Sequence, residues 1–324
     1  MAEKLHMLPQ GALVISIDYE FQLGFADFNL SETDKKRMQN EVGVISRLLT
    51  IFEHYNIPAT WAVTGHLLES HCKWEDDTPH PEYPRPIHKH EKRDWFSLHP
   101  PKTEYSDPLW FDVRRLVPQI LRSPVGHEIA SHSYGHIIYG ARDVNEGAVR
   151  VDIENMKRIH AERKYPLFSF VFPRNREAFH QELKEAGVQC YRGARRMWYR
   201  PFPGIVGRAL HLVDYFLPTT HTVVPTRGVG GLINLPDSLM LMGRNGLRRV
   251  IVPAIMKWKI RRGLMAAAKR GKVFHLWFHP SNFWYDEDGQ FEILEETLQY
   301  AAALRDNNVL SIQTMRGVCE QARL

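Results

Sequence analysis

Short apolar runs alternate along the chain with longer stretches in which apolar residues recur every three or four positions. The runs "ALVISI", "PATWAV", "GHEIASHS", "LFSFVF", "GLINLP", "KVFHLWFH" and "VLSIQTM" have strand length and predict strands. The helical period predicts helices from about Lys35 to Tyr55, over "EGAVRVDIENMKRIHAERK", "REAFHQELKEAG" and "FEILEETLQYAAALRDN", and over a basic segment beginning near Gly243. Strands alternating with helices predict an α/β chain with parallel strands and helices outside. An open doubly wound sheet would give a similar string. Chemically capable residues fall at the ends of many different strands, which favours the mouth of a barrel.

The alternation breaks between about residues 69 and 124, where prolines and histidines crowd "HCKWEDDTPHPEYPRPIHKHEKRDWFSLHPP". A loop this long inside a compact domain is usually functional, and its tryptophans and phenylalanine argue against full disorder. It is expected to fold over the site as an insertion in one domain spanning 1–324. Its histidines show no fixed spacing beside a carboxylate, so they read as solvated or packed.

At 324 residues and 44% hydrophobic, the chain can bury a full core. No stretch approaches the roughly 20 apolar residues of a membrane span, and "MAEKLHMLPQ" contains no apolar run of leader length, so a cytoplasmic location is expected. Cys72, Cys190 and Cys319 lie far apart without a CxxC pair and read as buried thiols. The net charge of +5 is densest over 243–272, an amphipathic pattern expected to bend near Pro253. A solvated outer face is the simpler account of it, with contact to a membrane surface through 244–272 as the minor one. No aromatic-and-basic reader motif supports nucleic-acid binding.

The candidate chemistry begins in "ALVISIDYEFQLG". Residues two apart on a strand share a face, so Asp18 and Glu20 project together and repel unless a cation or a proton-transfer role makes the pair useful. "GHEIASHSYGH" supplies His132 and His136, four apart, which on a helical turn would reach one metal ion. An arbitrary HxxxH is more often two satisfied histidines. Here the pair follows a strand, as the two acids do, and a two-histidine, one-carboxylate site follows. "SFVFPRNRE" and "KVFHLWFHPSNFW" bring Arg174 and His279 to further strand ends.

These motifs, in order from about Leu13 to Asn282, resemble those of the polysaccharide deacetylases that share the NodB homology domain. "SIDYE" stands where that family has TFDDG, "PATWAVTG" is similar to ATFFVTG, and "GHEIASHSYGH" matches GHEIGNHTYTH nearly residue for residue. "FPRN" and "FHLWFHP" stand where the arginine- and histidine-bearing motifs do. The resemblance implies a distorted (β/α)7 barrel, one divalent metal ion and hydrolysis of an N-acyl group on an amino sugar. It implies Asp18 as base and His279 as acid, with Arg174 orienting Asp18. Tyr19 replaces the second aspartate, and the D-x-E variant of the pattern makes Glu20 the metal ligand beside His132 and His136. The aspartate that tunes the family's histidine has no clear counterpart. "CYRGAR" stands near its place and Asp237 is a substitute for it.

Zinc is the expected ion, with cobalt, nickel, manganese and iron also suited to these ligands. Relatives with the variant motif open cyclic amides, so a cyclic amide, imide or ureide hydrolase is the first alternative. The aromatic stretches "WFSLHPP", "DPLWFD" and "RRMWYRPFPG" offer stacking faces for sugar rings and lean against it. A non-haem iron oxygenase shares the ligand set but usually a different scaffold. A carbohydrate-binding barrel without catalysis rests on Tyr19 alone. A cytoplasmic amino-sugar precursor of a surface polysaccharide or lipopolysaccharide, nucleotide-linked, lipid-linked or oligomeric, is the expected substrate.

Overall fold

The structure is a computed structural model and describes residues 3–4, 8–25, 28, 30–83, 107–112, 114–142, 144–195, 197–202 and 204–322. Its elements run β1 (Ala12–Tyr19), α1 (Glu32–His54), β2 (Thr60–Val63), α2 (Leu116–Arg122), β3 (Glu128–Ser131), α3 (Glu146–Arg163), β4 (Ser169–Val171) and α4 (His180–Glu185). Then follow β5 (Cys190–Arg192), α5 (Gly204–Phe216), β6 (Ile233–Asn234), β7 (Leu239–Met240), α6 (Pro253–Arg270), β8 (Val273–Phe278), α7 (Glu287–Asp306), β9 (Ser311–Gln313) and α8 (Met315–Gln321).

The parallel strands are ordered β6-β5-β4-β3-β2-β1-β8-β7 and curl on themselves. The two ends of this series are one stretch of chain. Leu235 N and Asp237 N donate to Tyr191 O and Gly193 O beside β5, and Ser238 N and Leu241 N then donate to His275 O and Trp277 O beside β8. A single bent segment thus serves as both β6 and β7, and the fold is the expected distorted barrel of seven parallel positions.

Strand periodicity sorts the side chains. Leu13, Ile15, Ile17 and Tyr19 of β1 face the helices, in one core cluster with Phe274, Leu276 and Phe278 of β8. Ala12 and Val14 face inward with Ala130, Val171, Cys190 and Val273, where α8 plugs the barrel floor through Met315, Val318 and Cys319. Cys190 and Cys319 form a disulfide there, Cα atoms 6.5 Å apart, so that of the three expected thiols only Cys72 remains a buried cysteine outside a disulfide. The inward series continues upward from Val14 to Ser16 and Asp18 in β1, and from Val273 to His275 and Trp277 in β8. The barrel interior therefore turns polar toward the C-terminal ends of its strands, where barrel enzymes carry their sites.

Two further expectations change, and a third falls outside the described residues. Pro253 occupies the first turn of α6 and starts the helix instead of bending it, since the missing N–H costs nothing there. Residues 84–106, expected to cap the site, lie outside the described residues, as does "WFSLHPP". In "DPLWFD", Leu109, Trp110 and Phe111 are buried in the core and offer no stacking face.

Candidate active site

A pocket of about 370 Å³ opens at the C-terminal ends of the strands, with Asp18, Glu20, His132, His136, Arg174 and His279 on its wall. All six residues singled out from the sequence line this one cavity.

Glu20 Oε2 lies 3.0 Å from His132 Nε2 and 2.9 Å from His136 Nε2. His132 Nδ1 is 2.8 Å from Val171 O, which can only accept, so that nitrogen carries the ring proton and Nε2 turns its lone pair toward the carboxylate. Two acceptors that close need a cation or a second proton between them. Two imidazole nitrogens and one carboxylate oxygen, all buried, fit a divalent metal ion, and the carbonyl behind His132 is the usual support of a ligating histidine. Gly24 packs against this acid, where a Cβ would stand 2.1 Å from Glu20 Oε1.

No helical turn carries the two histidines. Ser133 and His136 adopt left-handed backbone, φ 61° and 57°, and the segment is a loop. Asp152 of α3 holds it, accepting hydrogen bonds from Tyr134 N at 3.0 Å, Gly135 N at 2.7 Å and the Tyr139 hydroxyl at 2.6 Å, and from the Tyr83 hydroxyl. Those bonds offset left-handed conformations that cost of order 1 kcal/mol or more each in non-glycine residues.

Asp18 is 2% exposed and bound in bidentate fashion by Arg192, whose two terminal nitrogens donate to its two oxygens at 2.7 Å. Burial alone would raise its pKa, but Arg192, His132 and His279 outweigh burial and hold it below the usual value. Burial also acts against Glu20, yet His279 and His136 keep it well below the ordinary range. Arg192 further donates to Ser16 Oγ at 3.0 Å, and its guanidinium lies 4.3 Å from the centre of the Trp277 ring. Ser16 Oγ is in turn 2.9 Å from His275 Nε2. Burial and then the like charge of Arg192 push His275 down to about 3, so this interior imidazole is neutral and accepts the Ser16 hydroxyl proton.

The arginine that grips Asp18 is thus Arg192, where the sequence assigns the task to Arg174. Arg174 stands at the pocket wall in left-handed backbone, φ 55°, donates to Gly24 O at 3.1 Å and lies 5.1 Å from the centre of the Phe28 ring. Arg192 sits in a three-residue strand too short to show a period, and its one signal is a charge between Tyr191 and Gly193 in "CYRGAR".

His279 Nε2 lies 3.4 Å from Glu20 Oε1 and 3.6 Å from Asp18 Oδ2, at the mouth. Asp237 accepts from Arg195 N at 2.8 Å and Trp277 Nε1 at 3.1 Å, and Trp277 packs on His279 with ring centres 5.5 Å apart. Asp237 therefore reaches His279 only through the indole. Tyr19 faces away from the pocket, its hydroxyl donating to Asp112 at 3.1 Å. Asp112 also accepts from Leu116 N and Val117 N at the start of α2. The tyrosine ties β1 to the end of the insertion, and a direct part in choosing substrate is not its place.

No family profile and no curated protein matches the chain. Solved structures do. A protein from Mycobacterium smegmatis assigned to the polysaccharide deacetylases superposes with a TM-score of 0.64 at 17% identity, over 100% of this chain and 94% of its own. One from Pseudomonas aeruginosa PAO1 with the same assignment gives 0.57 at 13% identity, over 96% and 90%. The allantoinase Puue gives 0.57 at 13% identity, over 96% and 89%. The fold is that of these proteins.

Proposed function

We propose that this chain is a metal-dependent amidohydrolase that removes an N-acyl group, most simply acetyl, from an amino sugar. One observation carries the reading: a Glu20–His132–His136 donor set shares a pocket with an arginine-held carboxylate and an imidazole. Two superposable proteins assigned as polysaccharide deacetylases support it. A divalent ion at those three donors, zinc by preference, supplies Lewis-acid polarisation of an amide carbonyl and acidifies water.

The chain's own residues supply the rest. Asp18 takes the proton of the attacking water, and Arg192 fixes both its orientation and its charge. An amine leaves only when protonated, and His279 stands at the mouth to deliver that proton. Trp277, Phe25 and Phe28 give the pocket apolar faces against which a sugar ring can lie. Arg174 and Arg248 on the same wall suit a phosphate, as in a nucleotide- or lipid-linked precursor of a surface glycan made in the cytoplasm. The exposed Leu247 and Val250 beside Arg248 in the sequence, with the exposed Trp258 of α6, would let the 244–272 segment rest on a lipid surface.

Opening of a cyclic amide or ureide is the second reading. The allantoinase superposes as well as the second deacetylase, and the same water attack serves either bond.

The test is release of primary amine from N-acetyl amino sugars, free, nucleotide-linked and lipid-linked, run beside ring opening of cyclic ureides by the zinc-loaded chain. Amine release is expected, with Asp18→Asn binding metal normally and losing about 100-fold or more in rate. Ring opening alone would move the assignment to the second reading, and an active Asp18→Asn protein would remove Asp18 as the base.

A further inference from the structure

Behind the loop that carries His132 and His136 lies a second convergence of metal-binding side chains, formed by His66, Cys72 and His80. His66 belongs to the 3-10 turn Gly65–Leu68 after β2. Cys72 and His80 flank the small hairpin Trp74–Glu75/Thr78–Pro79 at the root of the insertion. None of the three reaches the pocket described above, and all are buried.

The geometry points to a structural metal site of the zinc type at His66, Cys72 and His80. The first support is distance. An ion about 2.1 Å from each nitrogen and about 2.3 Å from a thiolate, at tetrahedral angles, sets donor-to-donor edges of roughly 3.4 and 3.6 Å. His66 Nε2 lies 3.2 Å from His80 Nε2 and 3.3 Å from Cys72 Sγ, and the three donors all fall within 4.8 Å of one another.

The second support is tautomeric. His66 Nδ1 lies 3.0 Å from Trp110 O, a pure acceptor, so the ring proton sits on Nδ1 and the Nε2 lone pair points at the other two donors. Carbonyl support of a ligating histidine is the same device seen behind His132. A cation accepts all three donors at once. Borderline nitrogen and sulfur ligands in a pocket walled by Trp110, Phe111 and Tyr134 suit zinc and exclude magnesium or calcium.

The third support is position. Gly65 N and His66 N donate to Ser133 O and Tyr134 O at 2.8 and 2.9 Å, so the turn bearing His66 is already bonded to the catalytic loop. His80 N donates to Lys73 O at 2.8 Å and Tyr83 N to His80 O at 3.0 Å, closing the hairpin around the site. An ion there would fasten the root of the insertion to the loop of His132 and His136, with no part in the chemistry.

The test is metal stoichiometry on the purified full chain, loaded with zinc and dialysed, then a spectrum of the cobalt-loaded chain. Wild type is expected to retain two ions, with Cys72→Ser and the double variant His132→Ala/His136→Ala retaining one each. A sulfur-to-cobalt charge-transfer band is expected in wild type and in the histidine double variant, and not in Cys72→Ser. Wild type retaining a single ion and lacking that band would overturn the site, as would a folded Cys72→Ser retaining two. The spectrum of wild type decides the matter even if a variant fails to fold, and neither readout depends on the reaction proposed above.

Discussion

The contact on which the proposed chemistry turns is the bidentate pair of Arg192 and Asp18, both almost fully buried. Removing one partner of such a pair leaves an uncompensated buried charge, at a cost of about 3–5 kcal/mol. Arg192→Met should therefore lower the melting temperature and, in the fraction that folds, cut kcat about 100-fold while the metal at Glu20, His132 and His136 is kept. Arg192→Lys should recover little, because an ammonium cannot hold both oxygens in the planar fork. Arg174→Gln should do the opposite, raising KM with kcat nearly intact, since Arg174 lines the cavity and its hydrogen bond to Gly24 O leaves Asp18 to Arg192. Kinetics of the three variants side by side decides between the arginines, and a kcat collapse confined to Arg174→Gln would restore the assignment made from the sequence. That assignment failed for a physical reason. An arginine after a long apolar run is conspicuous, whereas Arg192 lies in a strand of three residues and is found only when the barrel closes and β5 comes opposite β1.

The same contrast runs through the elements. Strands with a long inside–outside alternation, β1 and β8, are legible in the chain, and they bring Asp18, Glu20 and His279 to one cavity. The loop after β3 was legible as chemistry and misread as geometry, because HxxxH spacing is satisfied by a helical turn and equally by two left-handed residues braced from outside. The brace is Asp152, in the middle of α3, where a buried acid with no local partner in the sequence gives no sign of what it will hold. Its pKa is raised, burial outweighing hydrogen bonds from Tyr139, Tyr83 and the loop amides. Asp152→Asn replaces an acceptor that takes four bonds by a group that must also donate, so the loop should relax. Loss of outer support of this kind typically weakens metal binding about 10–100-fold. Competition against a zinc chelator should register that change with Asp18 and Arg192 untouched, and an affinity equal to wild type would show that the loop holds its shape without α3.

For the molecule as a whole, pH couples to stability through histidines that stay neutral inside it. His127 accepts from Ala59 N and packs edge-on against Phe52 and Trp61, His160 lies on the buried face of α3, and His275 fills the barrel. Burial pushes the first two down to about 4, and burial with the charge of Arg192 pushes His275 to about 3. In the unfolded chain each titrates near 6.5, so below that pH the unfolded state binds more protons and stability rises with pH. Their contribution is complete above pH 6.5 and drains away as the pH falls toward 4. Buried acids with raised pKa, Glu41 above all, act in the opposite sense over part of that window, so the absolute slope mixes both. The difference between two proteins isolates one group. His160→Leu removes a proton site and keeps an apolar side chain in α3, and it should lose about 2 kcal/mol less than wild type between pH 7 and pH 5. Urea unfolding at the two pH values in the presence of chelator, which takes the metal ligands out of the comparison, measures that difference. Equal losses would mean that His160 is protonated in the folded chain, against the burial from which its neutrality follows.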